Sequence, residues 1–264
     1  MKRLLWMAIS LVIIAQGART ATGAETKPAV RVTVVYNNVP HKAGLSTAWG
    51  FAAVVESGSD ALLFDTGGDG PTLLANMKRL EIAPERINSV FLSHNHGDHT
   101  GGLNDFLARH AKLAVYLPKT FPASFQRAVK RRGARVVAID GPQRLFANLY
   151  STGVMSEGID EQSLIIDTSK GLIVITGCAH PDIVKIAEAA HIYRNKEIYL
   201  LMGGFHLRGR RADQIDATIK ALRKLGVRKV APSHCTGDEA IAMFRAAWGK
   251  DFLESGCGAV IELP

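Results

Sequence analysis

The 264-residue chain is 47% hydrophobic and 21% charged, with a formal net charge of +8 and three cysteines. That composition suits one large domain or two fused halves with a substantial core, and it excludes a disordered or low-complexity chain. It also argues against a nucleic-acid partner. The densest basic cluster, Arg127, Lys130, Arg131, Arg132 and Arg135, has no interleaved aromatics and reads as the solvated face of a helix.

Lys2-Arg3 precede an apolar run from Leu4 to Ala15, and small or polar residues follow as far as Ala21-Thr22-Gly23-Ala24. This is a signal-peptide pattern over residues 1–24, with cleavage expected after Ala24 and Gly17 as the second choice. About a dozen apolar residues are too few for a membrane span, which takes roughly 20, so none is expected once the leader is removed; an uncleaved N-terminal anchor is the alternative. Losing Lys2, Arg3 and Arg19 leaves a net charge of about +5 on the mature domain, residues 25–264, whose expected location is the periplasm or the exterior.

β-Branched runs predict strands at 30–36, 51–56 and 61–64, the last two joined by a Ser57-Gly58-Ser59-Asp60 turn. A helix over 72–80 opens behind Pro71, and strands follow at 87–92, 113–117 and 135–139, with a helix over 123–132 before the last. The second half repeats the alternation. Runs 164–167 and 172–176 form a hairpin, Pro181 begins a helix to about 192, and 198–202 is a buried strand. Asp213 is expected to cap a helix with Ile215, Ile219, Leu222 and Leu225 on one face, ended by Gly226 before a strand at 227–231. Hairpins and helical crossovers in both halves favour an α/β sandwich of two mixed sheets over a single doubly wound parallel sheet.

Strand 87–92 delivers Ser93-His94-Asn95-His96-Gly97-Asp98-His99-Thr100-Gly101-Gly102, three histidines and an aspartate within six positions. Imidazole nitrogen and carboxylate oxygen are the ligands that Zn²⁺ and its first-row neighbours prefer. Three more histidines end strands, in Gly177-Cys178-Ala179-His180, Gly203-Gly204-Phe205-His206 and Ser233-His234-Cys235-Thr236-Gly237. A lone strand-end histidine is usually structural, but several converging on one rim beside the 94–99 motif point to a shared site, with adjacent glycines allowing close approach. Cys178 and Cys235 each lie within two residues of a histidine, which fits a metal site better than a disulfide framework; Cys257 is expected to be structural or free. Asp65, ending the strand at 61–64, is read either as an acceptor that orients a ligand imidazole or as an Asx-turn residue. His41 is a candidate for the substrate entrance, whereas His110 and His191 lack such context.

Leu63-Phe64-Asp65-Thr66-Gly67 and the 93–102 motif resemble the first two motifs of the metallo-β-lactamase superfamily, and the likeness spans nearly the whole mature chain. Thr176-Gly177-Cys178-Ala179-His180-Pro181, Gly203-Gly204-Phe205-His206-Leu207 and Ser233-His234-Cys235-Thr236-Gly237 resemble its branch related to 7,8-dihydropterin-6-methyl-4-(β-D-ribofuranosyl)-aminobenzene-5′-phosphate synthase. The resemblance implies an αββα sandwich with a metal centre at one sheet rim. His94 and His96 would serve one ion and Asp98, His99 and His234 a second. The usual third-motif histidine and bridging aspartate are missing, so His180 is assigned as a ligand in place of the first, and Cys178 stands near the missing carboxylate as a candidate thiolate ligand. His206 is either a compensating ligand or, the preferred reading, a proton donor facing the ions.

The implied cofactor is one or two Zn²⁺ ions, with Mn²⁺ or Fe²⁺ as alternatives, and the implied chemistry is hydrolysis of an ester, lactone, amide or phosphoester by metal-activated water, with Asp98 also orienting the nucleophile. Arg208, Arg210 and Arg211 are candidates for holding an anionic small-molecule substrate, against the alternative of solvated loop charges. Two other readings stay open: group transfer as in the dihydropterin branch, and non-catalytic metal or ligand binding. The altered later motifs argue against a β-lactam substrate.

Overall fold

The computed structural model describes residues 29–263, so the expected leader at 1–24 lies outside the described residues. The first half alternates as expected: β1 (Val30–Asn37), β2 (Phe51–Ser57), β3 (Asp60–Phe64), α1 (Gly70–Arg79), β4 (Ser89–Phe91), α2 (Gly97–Thr100), α3 (Leu103–Arg109), β5 (Ala114–Pro118), α4 (Ala123–Arg131) and β6 (Arg135–Ile139). Four short strands follow, β7 (Gln143–Arg144), β8 (Leu149–Ser151), β9 (Met155–Glu157) and β10 (Ile159–Glu161). The chain then forms β11 (Leu164–Thr168), β12 (Gly171–Thr176), α5 (Ile183–Arg194), β13 (Ile198–Gly204), α6 (Ala212–Lys224), β14 (Lys229–Ser233), α7 (Asp238–Trp248) and β15 (Val260–Leu263).

One large sheet has the order β15-β1-β2-β3-β4-β5-β6 and a second β14-β13-β12-β11-β8-β7, while β9 and β10 pair antiparallel as a separate two-stranded sheet. Both large sheets are mixed: β3 to β6 run parallel in the first and β12 to β14 in the second, while the hairpins β2–β3 and β11–β12 are antiparallel. Inner faces meet in a core that includes Val32, Phe51, Phe64, Phe91, Ile173, Ile175 and Met202. Phe64 and Phe91 stack with ring centroids 5.5 Å apart. Each outer face needs its own apolar cover because every strand alternates. Leu73 and Met77 of α1, Phe106 of α3 and Val129 of α4 supply it for the first sheet; Ile186 of α5, Ile219 of α6 and Phe244 of α7 do so for the second. The result is the αββα sandwich.

Parallel strands end on a common rim. The residues that follow β3, β4, β12, β13 and β14 therefore gather at one edge of the sandwich. There the 93–102 segment becomes an extended exit from β4 and the single turn α2.

Local departures from expectation have plain causes. The α6 N-cap is Arg211 rather than Asp213: the Arg211 N–H donates to Gln214 Oε1 at 3.1 Å, and Asp213 sits in the first turn, paired with the Arg211 guanidinium. In α5 the cap is Asp182, whose carboxylate accepts from the Val184 and Lys185 N–H groups, with Pro181 just outside. The 127–135 basic cluster is exposed throughout, as a solvated face should be. No helix among the described residues is long and apolar enough to cross a membrane.

The β1–β2 connection, residues 38–50, is held by a buried amide. Asn76 of α1 accepts from the Ser46 N–H at 2.9 Å and donates to the Ser46 and Val35 carbonyls at 2.8 and 3.0 Å. Asn76→Ala strands those backbone groups, so urea denaturation is expected to show a loss of about 2–4 kcal/mol; a loss under 0.5 would contradict this role.

Candidate metal centre

The left-handed backbone at Asp65, Ala179, His206 and His234 (φ 51, 59, 54 and 53°) turns the chain sharply where β3, β12, β13 and β14 end. Non-glycine residues there cost on the order of 1–3 kcal/mol each and are concentrated at functional sites. The turns bring side chains from five strand ends together.

Two trios of ligand atoms result, each within 4.8 Å of one another: His94, His96 and His180, and Asp98, His99 and His234. In the first, His94 Nε2 lies 3.1 Å from His96 Nδ1. In the second, His99 Nε2 lies 3.2 Å from His234 Nε2, with Asp98 Oδ2 at 3.6 and 3.4 Å from the two. Cys178 Sγ stands between the trios, 3.3 Å from His99 Nε2.

The outer ring nitrogens are fixed by acceptors. Asp65 Oδ2 accepts from His99 Nδ1 at 2.7 Å, and Asn38 Oδ1 from His234 Nδ1 at 2.8 Å. The Ser93 hydroxyl donates to Asp65 Oδ2 at 2.7 Å, leaving its oxygen to accept from His94 Nδ1 at 2.9 Å. In these tautomers the Nε2 lone pairs of His94, His99 and His234 face the cluster, where lone pair meets lone pair unless a cation or proton lies between. His180 Nε2 is buried without a hydrogen-bond partner. This donor set fits a divalent cation, and the Asp65 carboxylate is the orienting acceptor for Ser93 and His99 rather than the acceptor of an Asx turn.

Protonation follows from burial and charge. Burial, then the neighbouring imidazoles, hold His94 well below its usual pKa, and burial with His206 brings His180 down to about 4; neutral imidazole is the ligating form. Burial opposes protonation of His99, but the Asp65 carboxylate outweighs it and raises the pKa. Burial would raise Asp98, yet its hydrogen bond to His234 and the charge of His99 bring it well below the carboxylate range.

Cys178, Cys235 and His206 form a further group within 4.8 Å. All three cysteines are free thiols. The hydrogen bond with Cys235, reinforced by burial, pushes the Cys178 thiol up, whereas the same bond holds Cys235 low. Ligation by Cys178 therefore requires an ion that can displace this proton.

Glu161, at the end of β10, carries no ligand-like signal in the sequence but organises the second sheet's contribution. Its Oε1 accepts from the Gly177, Cys178 and Ala179 N–H groups at 3.0 Å each, and its Oε2 from the His180 N–H at 3.0 Å. Burial raises its pKa to about 6 against the pull of those donors. Gly177 is required by space: a Cβ there would lie 2.1 Å from Ser93 Oγ.

Two cavities flank the centre. One of about 240 Å³ is lined by His180, His206 and Arg210; the other, of about 420 Å³, by Asn38, Trp49, Arg208 and His234. Arg211 lines neither and pairs with Asp213 instead. His41 is exposed, packs beside Gly256 and is absent from both linings, whereas Trp49 of the same loop lines the larger cavity. His191 Nδ1 bonds the Lys196 carbonyl, away from the centre, and His110 follows α3 as its cap.

A family model described as the metallo-beta-lactamase superfamily matches residues 50–234. A 7,8-dihydropterin-6-methyl-4-(beta-D-ribofuranosyl)-aminobenzene-5′-phosphate synthase of Methanocaldococcus jannaschii is 32% identical over 246 residues, 76% of this chain and 84% of that protein. A solved metal-dependent hydrolase of the β-lactamase superfamily is 26% identical, with a TM-score of 0.74 over 89% of this chain and 99% of its own. A metallo-β-lactamase fold protein from Bacillus subtilis, 16% identical, shares the fold with a TM-score of 0.63 over 89% of this chain and 100% of its own.

Glu161→Ala removes the acceptor that shapes residues 177–180 while leaving every ligand side chain in the sequence. Competition with a chromogenic chelator is expected to show metal affinity lowered by about 10- to 100-fold, and wild-type affinity would refute the assignment.

Proposed function

Because the chain belongs to the metallo-β-lactamase superfamily, we propose that it is an exported metal-dependent hydrolase acting on an ester, lactone, amide or phosphoester. The observation that carries this reading is the pair of adjoining ligand trios, His94, His96 and His180 beside Asp98, His99 and His234. These residues would hold one or two divalent ions, zinc first by ligand chemistry and manganese or iron as alternatives. Such an ion supplies Lewis acidity toward a carbonyl or phosphoryl oxygen and makes water a competent nucleophile near neutral pH.

The remaining work falls to side chains. Asp98 is partly exposed and stays ionised well into the acid range, so its free lone pairs can accept a hydrogen bond from the attacking water and aim it. His206 lies beyond His180, ring centroids 4.4 Å apart, and is exposed to the smaller cavity. A hydrogen bond with Cys235 raises its pKa against the effect of burial, which suits it to hold a proton for the leaving group. Arg210 on that cavity and Arg208 on the other are placed to meet substrate anions, whereas Arg211 is spent on Asp213.

The M. jannaschii synthase favours a second reading, group transfer at the same centre, because its likeness covers most of both chains. Product analysis in ¹⁸O-labelled water separates the two: hydrolysis places the label in product, transfer to another acceptor does not.

Asp98→Asn is expected to lower kcat/KM by about 100-fold or more on whichever substrate turns over. Full activity at full metal content would refute the mechanism. His206→Ala is expected to slow substrates with poor leaving groups by roughly 100-fold while sparing 4-nitrophenolate esters, whose leaving group needs no proton. For export, mass spectrometry of the protein recovered from periplasm or medium is expected to find Glu25 at the N-terminus, and an intact Met1 in the cytosol would overturn it.

A further inference from the structure

We propose that the cavity between Trp49, Arg208 and His234 is the receptor for the substrate's distal part, and that this part is a flat aromatic group carrying a negative charge. The inference rests on the hydrolase reading for the statement that the ligand is a substrate, but the receptor itself is argued from geometry.

Trp49 is 45% exposed, although the chain on either side of it is firmly placed. Asn76 fixes Ser46 on one side. On the other, Gly50 (φ +140°) packs so closely on the metal-binding turn that a Cβ would lie 2.4 Å from the Asp98 carbonyl. An indole carried on a fixed backbone and left nearly half open to solvent keeps apolar surface in water that a ligand stacked there would cover.

The indole is tied to the centre. Its ring lies 4.8 Å from the His234 ring, and His234 Nε2 points into the second trio. Arg208 places its guanidinium carbon 5.0 Å from the indole centroid. Among the described residues Arg208 forms no ion pair, and the single carboxylate on the lining, Asp238, is exposed at the first turn of α7. Gly237 allows this placement, since a Cβ there would lie 3.0 to 3.2 Å from the Arg208 Cα, Cβ and Cγ. A guanidinium resting on an indole and lacking a counter-anion offers a planar fork to carboxylate or phosphate.

Size completes the argument. The cavity holds about 420 Å³, and about 150 Å³ already accommodates benzene. An aryl group with an anionic substituent fits, with its scissile bond directed past His234 to the ions.

The test is calorimetric binding of three probes to the metal-loaded protein: phenyl phosphate, inorganic phosphate and benzyl alcohol. Wild type is expected to prefer phenyl phosphate over inorganic phosphate by about tenfold and to bind benzyl alcohol weakest. Trp49→Ala should abolish the preference and leave inorganic phosphate unchanged, while Trp49→Phe keeps most of it. Arg208→Met should weaken both phosphates about tenfold. Both side chains are exposed, and unchanged thermal melting verifies that the variants fold. A preference that survives Trp49→Ala, or phosphate affinities unmoved by Arg208→Met, overturns the receptor. If the binding pattern appears but no aryl ester, lactone, amide or phosphoester turns over, the receptor stands and the hydrolase reading fails instead.

Discussion

Asp65 accepts three hydrogen bonds at 2.7 Å, from the Ser93 N–H, the Ser93 hydroxyl and His99 Nδ1, with no exposure to solvent. Through them one carboxylate joins the ends of the parallel strands β3 and β4, sets the His99 ring directly and sets the His94 ring through Ser93. A buried carboxylate is tolerated only where donors surround it, so its position fixes theirs. Glu161 plays the matching part for the other sheet by gathering four consecutive N–H groups from 177 to 180. The two systems touch where Gly177 leaves room for Ser93 Oγ. Each large sheet thus has one acid that organises its ligands, Asp65 at the end of its own β3 for the first and Glu161 from the separate β9–β10 hairpin for the second, and the contact at Gly177 registers one set against the other.

What the sequence discloses depends on how local each signal is. The strands at 30–36, 51–56 and 61–64 and the 164–176 hairpin are legible because alternation and turn residues lie within a few positions of one another. The 94–99 motif is legible for the same reason. His180, His206 and His234 can be grouped because each closes an apolar strand, and parallel strands share a rim. Glu161 escapes notice: its function is defined by peptide groups 16 to 19 residues away, and the strands of two or three residues around it are too short to show a period. Trp49 has no local signal either, which left His41 as the only visible candidate in its loop. The run Leu207-Arg208-Gly209-Arg210-Arg211 offers three equivalent cations. Only the turn at Gly209 (φ +76°) and the cap of α6 assign them to one cavity, the other and a pair with Asp213. The spacing in α7, with Ala240, Phe244 and Trp248 buried at intervals of four, is present in the sequence, yet no histidine or metal motif draws attention to it.

The same features that make the centre reactive make it costly to fold. Four non-glycine residues sit in the left-handed region around it, at on the order of 1–3 kcal/mol each. Asp65 and Glu161 are withdrawn from water entirely, and Asp98 partly. Apolar packing cannot compensate a carboxylate, so the balance must come from hydrogen-bond donors or positive charge. Asp65 and Glu161 have donors in full measure. Asp98 does not: its near neighbours are the imidazoles His99 and His234, and they neutralise it only by carrying a proton or by sharing a cation with it. The raised pKa of His99 is the first solution and a divalent ion among the trio is the second. Because the unfolded chain holds these ligands apart, a cation recognises only the folded arrangement and stabilises it by mass action. Strain at the strand ends and affinity at the rim are therefore coupled: the turns that aim the imidazoles inward weaken the empty fold by the same geometry that lets it grip an ion.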